Sequence, residues 1–455
     1  MTDNNVSFPC QQAPDDPHVA RLLGLYSQRQ EGQWMQRLKI LGGHLTAQQW
    51  RGLAEIVRQF TPDCPLHLTT RQDIELHTLT VDRIPGVQHR IAEMGLTCLG
   101  ACGDTLRNIT VCPCAGVQTG RVDLIPLAWA IRKHLEATDG IFDLPRKFKI
   151  ALACGDDCGQ PWINDMGFVA RQRDRQWGFR VMVAGSLGAK PGVGMLFADW
   201  LPAGEVLPLV TAAVRVFAAH GDRDNRRRAR LRHVRERVGD EAFTTMLQAA
   251  FDEALAEQSW PAPPMEEPTA GLAERLTLTF PNGDITPEAA EALGRLAGRD
   301  DTAVRIANDH RVIVFGREPA QLADAVAEFD ALSAAAKPQP NVVACPGQRW
   351  CSHGLVHTNT MADRIRAELP DLAPSTFVRV SGCPNGCGHS AVADIGLSGV
   401  LVQRDGDKKE AYNLVAGGGM GRRAKLAQPV AQKLLPDEVL QQIRQLHLNA
   451  LQETR

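Results

Sequence analysis

Twelve cysteines stand in the 455-residue chain, and their spacing is the first sign of chemistry. Ten fall in close pairs: Cys98 with Cys102, Cys112 with Cys114, Cys154 with Cys158, Cys345 with Cys351, and Cys383 with Cys387. Only Cys10 and Cys64 stand alone. A chain of this length can bury a core without disulfides, so paired thiols in a reducing compartment point to coordination. The sequence Cys345-Pro-Gly-Gln-Arg-Trp-Cys351 followed by Cys383-Pro-Asn-Gly-Cys387 gives C-x5-C and then C-x3-C. Two such pairs on separate loops can clasp a [4Fe–4S] cube from two sides. Structural zinc usually takes C-x2-C spacing and is the weaker alternative. Unliganded buried thiols are the plain alternative, but they leave unexplained the Pro and Gly that tighten both loops and turn N–H groups toward sulfur.

The elements that must position these loops repeat. Residues 37–79 and 275–317 each read as a strand, a helix and an alternating strand. The first helix opens at Thr46 with Gln49 three residues on, a capping box; the second opens at Thr286 with Pro287 in its first turn. Further on, Cys112-Pro113 matches Cys345-Pro346, 154-CGDDCGQPWINDMG matches 383-CPNGCGHSAVADIG, and 183-VAGSLG matches 415-VAGGGM. Four blocks in order at a nearly constant offset imply a duplicated half. The same offset aligns Arg71 with Asp309 and places Cys112, Cys154 and Cys158 at the duplicate positions of three cysteines of the second half. These are either inherited buried thiols or, with Cys114, a second iron–sulfur centre, and iron counting separates the two.

The combination of C-x5-C, GCPNGC and an internal duplication resembles the siroheme-dependent sulfite and nitrite reductase family. The resemblance extends over GLYSQRQEGQWMQRLKILGG at 24–43, HLTTRQDIELH at 67–77, GLTCLGACGDTLRNI at 95–109 and LPRKFKI at 144–150. It implies an α+β fold: two ferredoxin-like half-domains and two pseudo-symmetric α/β catalytic domains. The expected division is an N-terminal arm (1–20), half-domain one (21–94), the first catalytic domain (95–243), a linker (244–270), half-domain two (271–335) and the second catalytic domain (336–455). The implied reaction is six-electron reduction of sulfite to sulfide, or of nitrite to ammonia. The implied cofactors are siroheme and a [4Fe–4S] cluster held by Cys345, Cys351, Cys383 and Cys387, with Cys387 also reaching the haem iron.

Such chemistry needs fixed cations, because the macrocycle is rich in carboxylates and the substrate is an oxyanion. By resemblance the substrate-facing groups are Arg37, Arg107, Lys147 and Lys149, while Arg71 and, with less weight, His77 face the siroheme carboxylates. Lys147 and Lys149 are two apart, so an extended segment turns both to one face. A lysine ammonium there can also donate protons as oxygens leave as water. Lys149 stands where nitrite reductases of the family tend to have asparagine, which favours sulfite; the loop CPGQRWC resembles the form found in nitrite enzymes. His67 replaces an arginine found in some sulfite reductases.

Composition narrows the alternatives. A net charge of −2 gives no general drive toward nucleic acid or acidic membrane, and 5% aromatic residues leave little for a stacking surface. No unbroken apolar run long enough to span a membrane is present, and the polar, acidic N-terminus lacks a signal-peptide pattern, so a cytoplasmic enzyme is expected. The arginine run at 223–237 reads as a charged helix face rather than a nucleic-acid contact. His353 and His357 share a helical spacing that suits capping or solvent exposure, and GGGMGR at 417–422 suits a tight turn better than a dinucleotide loop. With no flavin or nicotinamide motif, electrons are expected from a separate ferredoxin or flavoprotein. Rival readings are a precorrin-3B synthase-like enzyme, against which the RKFK segment argues, and a polyferredoxin-like carrier, which would not need the cations.

Overall fold

Residues 6–266 and 271–453 are described by a computed structural model. The first repeat block supplies β1 (Leu25–Ser27), β2 (Trp34–Leu38), β3 (Leu66–Leu68) and β4 (Ile74–Leu79), with helix Ala47–Phe60 between β2 and β3. The next stretch forms a five-stranded sheet of β5 (Thr110–Val111), β6 (Ile150–Ala153), β7 (Met166–Arg173), β8 (Gln176–Val183) and β9 (Met195–Pro202), paired in that order. The second half repeats the plan. β10 (Glu274–Thr279), β11 (Asp284–Ile285), β12 (Thr302–Ile306) and β13 (Arg311–Gly316) enclose helix Pro287–Ala297. A second five-stranded sheet follows: β14 (Val342–Ala344), β15 (Val378–Ser381), β16 (Ile395–Arg404), β17 (Asp407–Ala416) and β18 (Gln428–Leu434). In both large sheets the first three strands run parallel and the last two antiparallel.

Both repeat helices start as the sequence predicts. Thr46 accepts the Gln49 N–H and Gln49 returns a bond to the Thr46 N–H, while Thr286 accepts from the Ala289 N–H. Their apolar faces meet each other. Trp50, Leu53, Ala54 and Val57 of one pack with Ala289, Ala290, Leu293 and Leu296 of the other in a single core. A Cβ at Gly294 would lie 3.1 Å from the Ala47 carbonyl oxygen and the Trp50 Cβ, so the helices approach closely there. The halves also exchange backbone: β11 pairs antiparallel with β3, Asp284 opposite His67 and Ile285 opposite Leu66.

The repeat is accurate at the level of backbone. Leu68 pairs with Ile74 as Ile306 pairs with Val312, which makes Arg71 the counterpart of Asp309. Gln72 and His310, next in line, share a left-handed φ of 61°. One repeat block is displaced. Val183 pairs with Met166, and Ala416 with Ile395, so Val183 corresponds to Ala416 and the VAG blocks slip by one residue from their sequence match.

Two other expectations change. The stretch expected as linker begins inside helix Asp240–Glu257, whose Phe243, Leu247 and Phe251 are buried in the core of the first large sheet. The irregular Pro-rich part starts after it, and residues 267–270 lie outside the described residues, as do residues 1–5 of the expected arm. The stretch Ala203–His220 is long and apolar enough to cross a membrane by length and composition, but 61% of it is buried within the fold, as in a core helix.

Candidate active site

The thiols lie where the parallel strands end, the edge at which α/β sheets place their ligand sites. Cys345 follows β14 directly, and its Sγ accepts the Gly382 N–H at 3.1 Å. Cys351 closes the turn Gly347–Arg349 with an N–H bond to the Gly347 carbonyl. Cys383 and Cys387 sit on the loop after β15. This loop is packed backbone to backbone: a Cβ at Gly382 would stand 2.8 Å from the Gly347 Cα. All four thiols are free, and Cys387 is exposed. The Cys345 thiol is pushed up by burial and by its neighbours Cys387 and Cys351; Cys351 is pushed up in turn by burial, Cys387 and Cys383. The four are thus near enough to feel one another's charge, yet no three bring their sulfurs within 4.8 Å.

Two segments from the first half hold these loops. The Arg29 N–H bonds the Trp350 carbonyl at 3.0 Å and Gln30 Nε2 bonds the Arg349 carbonyl at 2.7 Å. Thr70 Oγ1 donates to the Cys387 carbonyl at 3.0 Å, which sets the turn bearing Arg71 beside the cysteine loop. That turn is fixed by Gln72, whose buried amide donates to the Val111 and Ile306 carbonyls and accepts the Val111 N–H.

The cations converge beside Cys387. The Arg107 N–H bonds the Phe148 carbonyl at 2.9 Å, so residues 105–107 run alongside 147–149. Phe148 is fully buried while Lys147 and Lys149 on either side of it are partly exposed, the alternation of an extended segment. Burial and the charges of Arg230, Arg146 and Arg107 push the Lys147 ammonium down to about 7, against the pull of Cys387. Lys149 is driven well below the ordinary lysine range by burial and by Arg71, Lys147, Arg230 and Arg107. Arg71 donates to Asn164 Oδ1 at 2.7 Å and to the Asn108 carbonyl at 2.6 Å. The buried Nε atoms of Arg71 and Arg107 have no hydrogen-bond partner.

Arg37 adjoins that convergence, since burial and then the charge of Arg37 hold the Arg107 guanidinium down, whereas His77 lies to one side of it. Arg37 lies opposite Glu75 in the β2–β4 ladder and is neutralised by it at 2.5 Å, with Nη1 3.3 Å from Cys102 Sγ. His77 bonds Gln28 and Glu75 through its two nitrogens and stacks on Trp350 at 3.8 Å. Burial lowers it to about 4, so it is neutral. His67 is buried against Asp284, His77, His310 and Trp350.

Sequence reasoning missed Arg230. The run at 223–237 is a helix only over Leu231–Val238, and Arg230, Arg232 and His233 are buried rather than on a solvated face. Arg230 binds the fully buried Asp165 through Nε at 3.3 Å and Nη2 at 2.6 Å, and Asp165 Oδ2 also accepts the Lys149 N–H at 2.8 Å. The clue was available in the apolar pair Leu231 and Val234, three apart, which marks a buried stripe.

The chain matches the family described as "Nitrite and sulphite reductase 4Fe-4S domain" over residues 102–255 and 337–448, and the "Nitrite/Sulfite reductase ferredoxin-like half domain" over 26–94. It is 32% identical to the assimilatory ferredoxin-dependent nitrite reductase of Haloferax mediterranei, over 91% of this chain and 79% of that one. It is 30% identical to the ferredoxin–nitrite reductase of Synechococcus elongatus (97% and 91%), and 28% identical to the sulfite reductase [ferredoxin] of Mycobacterium tuberculosis (92% and 82%). The solved structure of the Mycobacterium tuberculosis NirA protein superposes with a TM-score of 0.80 at 26% identity, over 93% of this chain and 85% of that one. With its duplicated half-domains, its paired thiol loops and a match over more than half its length, the chain belongs to the nitrite and sulphite reductase family.

Proposed function

We propose that this chain reduces sulfite to sulfide with electrons from a separate protein, taking up six electrons and seven protons to release hydrosulfide and three waters. The observation that carries the reading is the set Arg71, Arg107, Lys147, Lys149 and Arg230, gathered beside Cys387, where burial and the guanidinium charges hold down the protonation of both lysines. Asp165 and Asp73 are the carboxylates nearest to it in effect, and burial raises Asp73 to about 6. A buried excess of positive charge with unpartnered guanidinium nitrogens fits a carboxylate-rich macrocycle and a small oxyanion. Siroheme and the [4Fe–4S] cluster, when bound, supply the redox chemistry. Cys345, Cys351, Cys383 and Cys387 would hold the cluster, with Cys387 shared with the haem.

In this reading Arg71, anchored by Asn108 and Asn164, meets the macrocycle carboxylates. Arg107, Lys147 and Lys149 hold the oxyanion. Lys147 is poised near neutral pH to give up the proton on its Nζ and recover it from solvent, the condition for effective general acid catalysis. His77, already paired, braces the loop around Cys351 by its stacking on Trp350, and Arg37, paired with Glu75, adds its charge behind Arg107. Ferredoxin is the proposed donor, as in the names of the relatives, with a flavoprotein as the other candidate and the cytoplasm as the site of reaction. The division into half-domains and catalytic domains at 94, 270 and 335, with the first catalytic domain extended through the helix that ends at Glu257, is part of the same proposal.

A dianion bound beside Lys149 restores that lysine's proton more strongly than a monoanion does, which is the argument for sulfite. Nitrite reduction to ammonia is the second reading, favoured by the nitrite reductases among the relatives at 32% and 30% identity. Steady-state assays of the cofactor-loaded chain with a reduced viologen donor decide between them. We expect a higher kcat/KM for sulfite, and Lys149→Asn to lower sulfite turnover at least tenfold more than nitrite turnover. Preference of the unmodified chain for nitrite, or equal loss with both substrates, would overturn the assignment.

A further inference from the structure

The first-half cysteines are packed in a way the second-half cysteines are not. Cys112 Sγ lies 3.0 Å from Cys154 Sγ, Cys114 Sγ lies 3.3 Å from Cys154 Sγ, and Cys114 and Cys112 are 3.9 Å apart. Among the described residues this is the one group of three such side chains whose ligand atoms all fall within 4.8 Å. Non-bonded atoms ordinarily settle at about 3.5–4.0 Å, so two of the three separations are tighter than plain packing gives.

The cause is a register difference of one residue. Val111 pairs with Leu152 as Ala344 pairs with Val380, and the ladders equate Ala153 with Ser381. Cys154 therefore corresponds to Gly382, not to Cys383. The hydrogen bonds agree: the Cys154 N–H donates to Cys112 Sγ at 3.0 Å, just as the Gly382 N–H donates to Cys345 Sγ at 3.1 Å. A thiol placed one position nearer the strand end falls onto its partner instead of standing off from it. Cys114 then enters from the same turn as Cys112, a turn fixed by the Ala115 N–H to the Cys112 carbonyl and the Gln118 N–H to the Cys114 carbonyl. Each thiolate of a cube binds a different iron and needs wide spacing. Thiolates on one tetrahedral ion at about 2.3 Å stand about 3.8 Å apart.

We propose that Cys112, Cys114 and Cys154 bind one soft metal ion of the zinc type, tying the end of β5 to the end of β6. Three thiolates select such an ion over hard cations. Arg121, close against Gly155 and near Cys114, offsets the excess negative charge. Cys114 and Cys154 are only half-buried, which leaves a way in, and Cys158 stands outside the close group, so the fourth position goes to a water. The ion would staple the strand that follows Arg107 and Asn108.

Elemental analysis of the cofactor-loaded chain tests this. We expect one zinc per chain that survives dialysis against a weak chelator, and an intense cobalt–thiolate charge-transfer band on exchange with cobalt(II). Cys154→Ser and Cys114→Ser should each lose the zinc while iron content and visible spectrum stay unchanged; Cys158→Ser should keep it. Absence of both stoichiometric zinc and the cobalt band in the unmodified chain would overturn the proposal. So would excess iron that disappears in Cys154→Ser, which means a second cluster, or a Cys112–Cys154 disulfide found by alkylation and mass spectrometry. Because the readout is metal content, failure here leaves the reductase reading untouched, and failure of that reading leaves the zinc count untouched.

Discussion

The two thiol-bearing edges are built on one plan and differ in two details. In the second half the cysteines stand apart and Arg71, reaching in from the opposite repeat, lies by Cys387; in the first half the cysteines close together and Asp309 lies near Cys158. Asp309 is itself held by Arg311, with Arg379 at 3.9 Å, so its side carries balanced charge. Duplication supplies the scaffold twice, and the copies differ by an arginine-to-aspartate exchange and a one-residue register step. In the proposals above, these steps would suit one edge to a polyanion and a cluster and the other to a compact ion.

The largest expected effect tests whether the edges are truly specialised. Cys387→Ser should abolish turnover and disturb the visible spectrum; a variant with full activity and a normal spectrum would show that Cys387 does not couple cluster and haem. Next comes Lys147→Met, expected to lower kcat/KM about 10²-fold or more, the usual scale for a general acid. Since the Lys147 ammonium is held down to about 7, the charged form is present below that pH and lost above it. The rate that depends on it should fall as pH rises through 7, and Lys147→Met should remove that limb; an unchanged profile would reassign the proton donor. Asp309→Ala should act on stability instead. Removing the carboxylate takes the ion-pair partner from Arg311 and the nearby counter-charge from Arg379, which keeps its bonds to Asn341, and broken buried pairs cost up to about 3–5 kcal/mol. Chemical denaturation measures this, and a variant as stable as the parent would mean the charge balance of the first-half edge is immaterial.

Much of this contrast is legible in sequence, and its limits have physical reasons. The paired cysteines, the two helix caps and the Lys147–Phe148–Lys149 alternation depend on spacing along a few residues, which sequence records directly. The register of Cys154 does not, because CGDDCG aligns well with CPNGCG and only the ladder to the neighbouring strand exposes the step. Arg230 was hidden among exposed arginines, since an ion pair with Asp165, distant in sequence, decides its burial. The helix over residues 244–257 was lost to the adjoining Pro-rich stretch. His77 sits on an alternating strand as expected, but its stacking on Trp350 joins the halves and leaves no local trace.

The pairing of β3 with β11 sets the timing of folding. His67 and Asp284 are 217 residues apart, and at roughly 5–20 residues per second a ribosome takes about 10–40 s to deliver the second after the first. Throughout that interval the edge of β3 and the apolar flank of helix Ala47–Phe60, with Trp50 and Leu53, have no partner. The nascent first half must therefore be shielded until its twin emerges, and synthesis that stalls between the two repeats would release an aggregation-prone fragment rather than a stable half-enzyme.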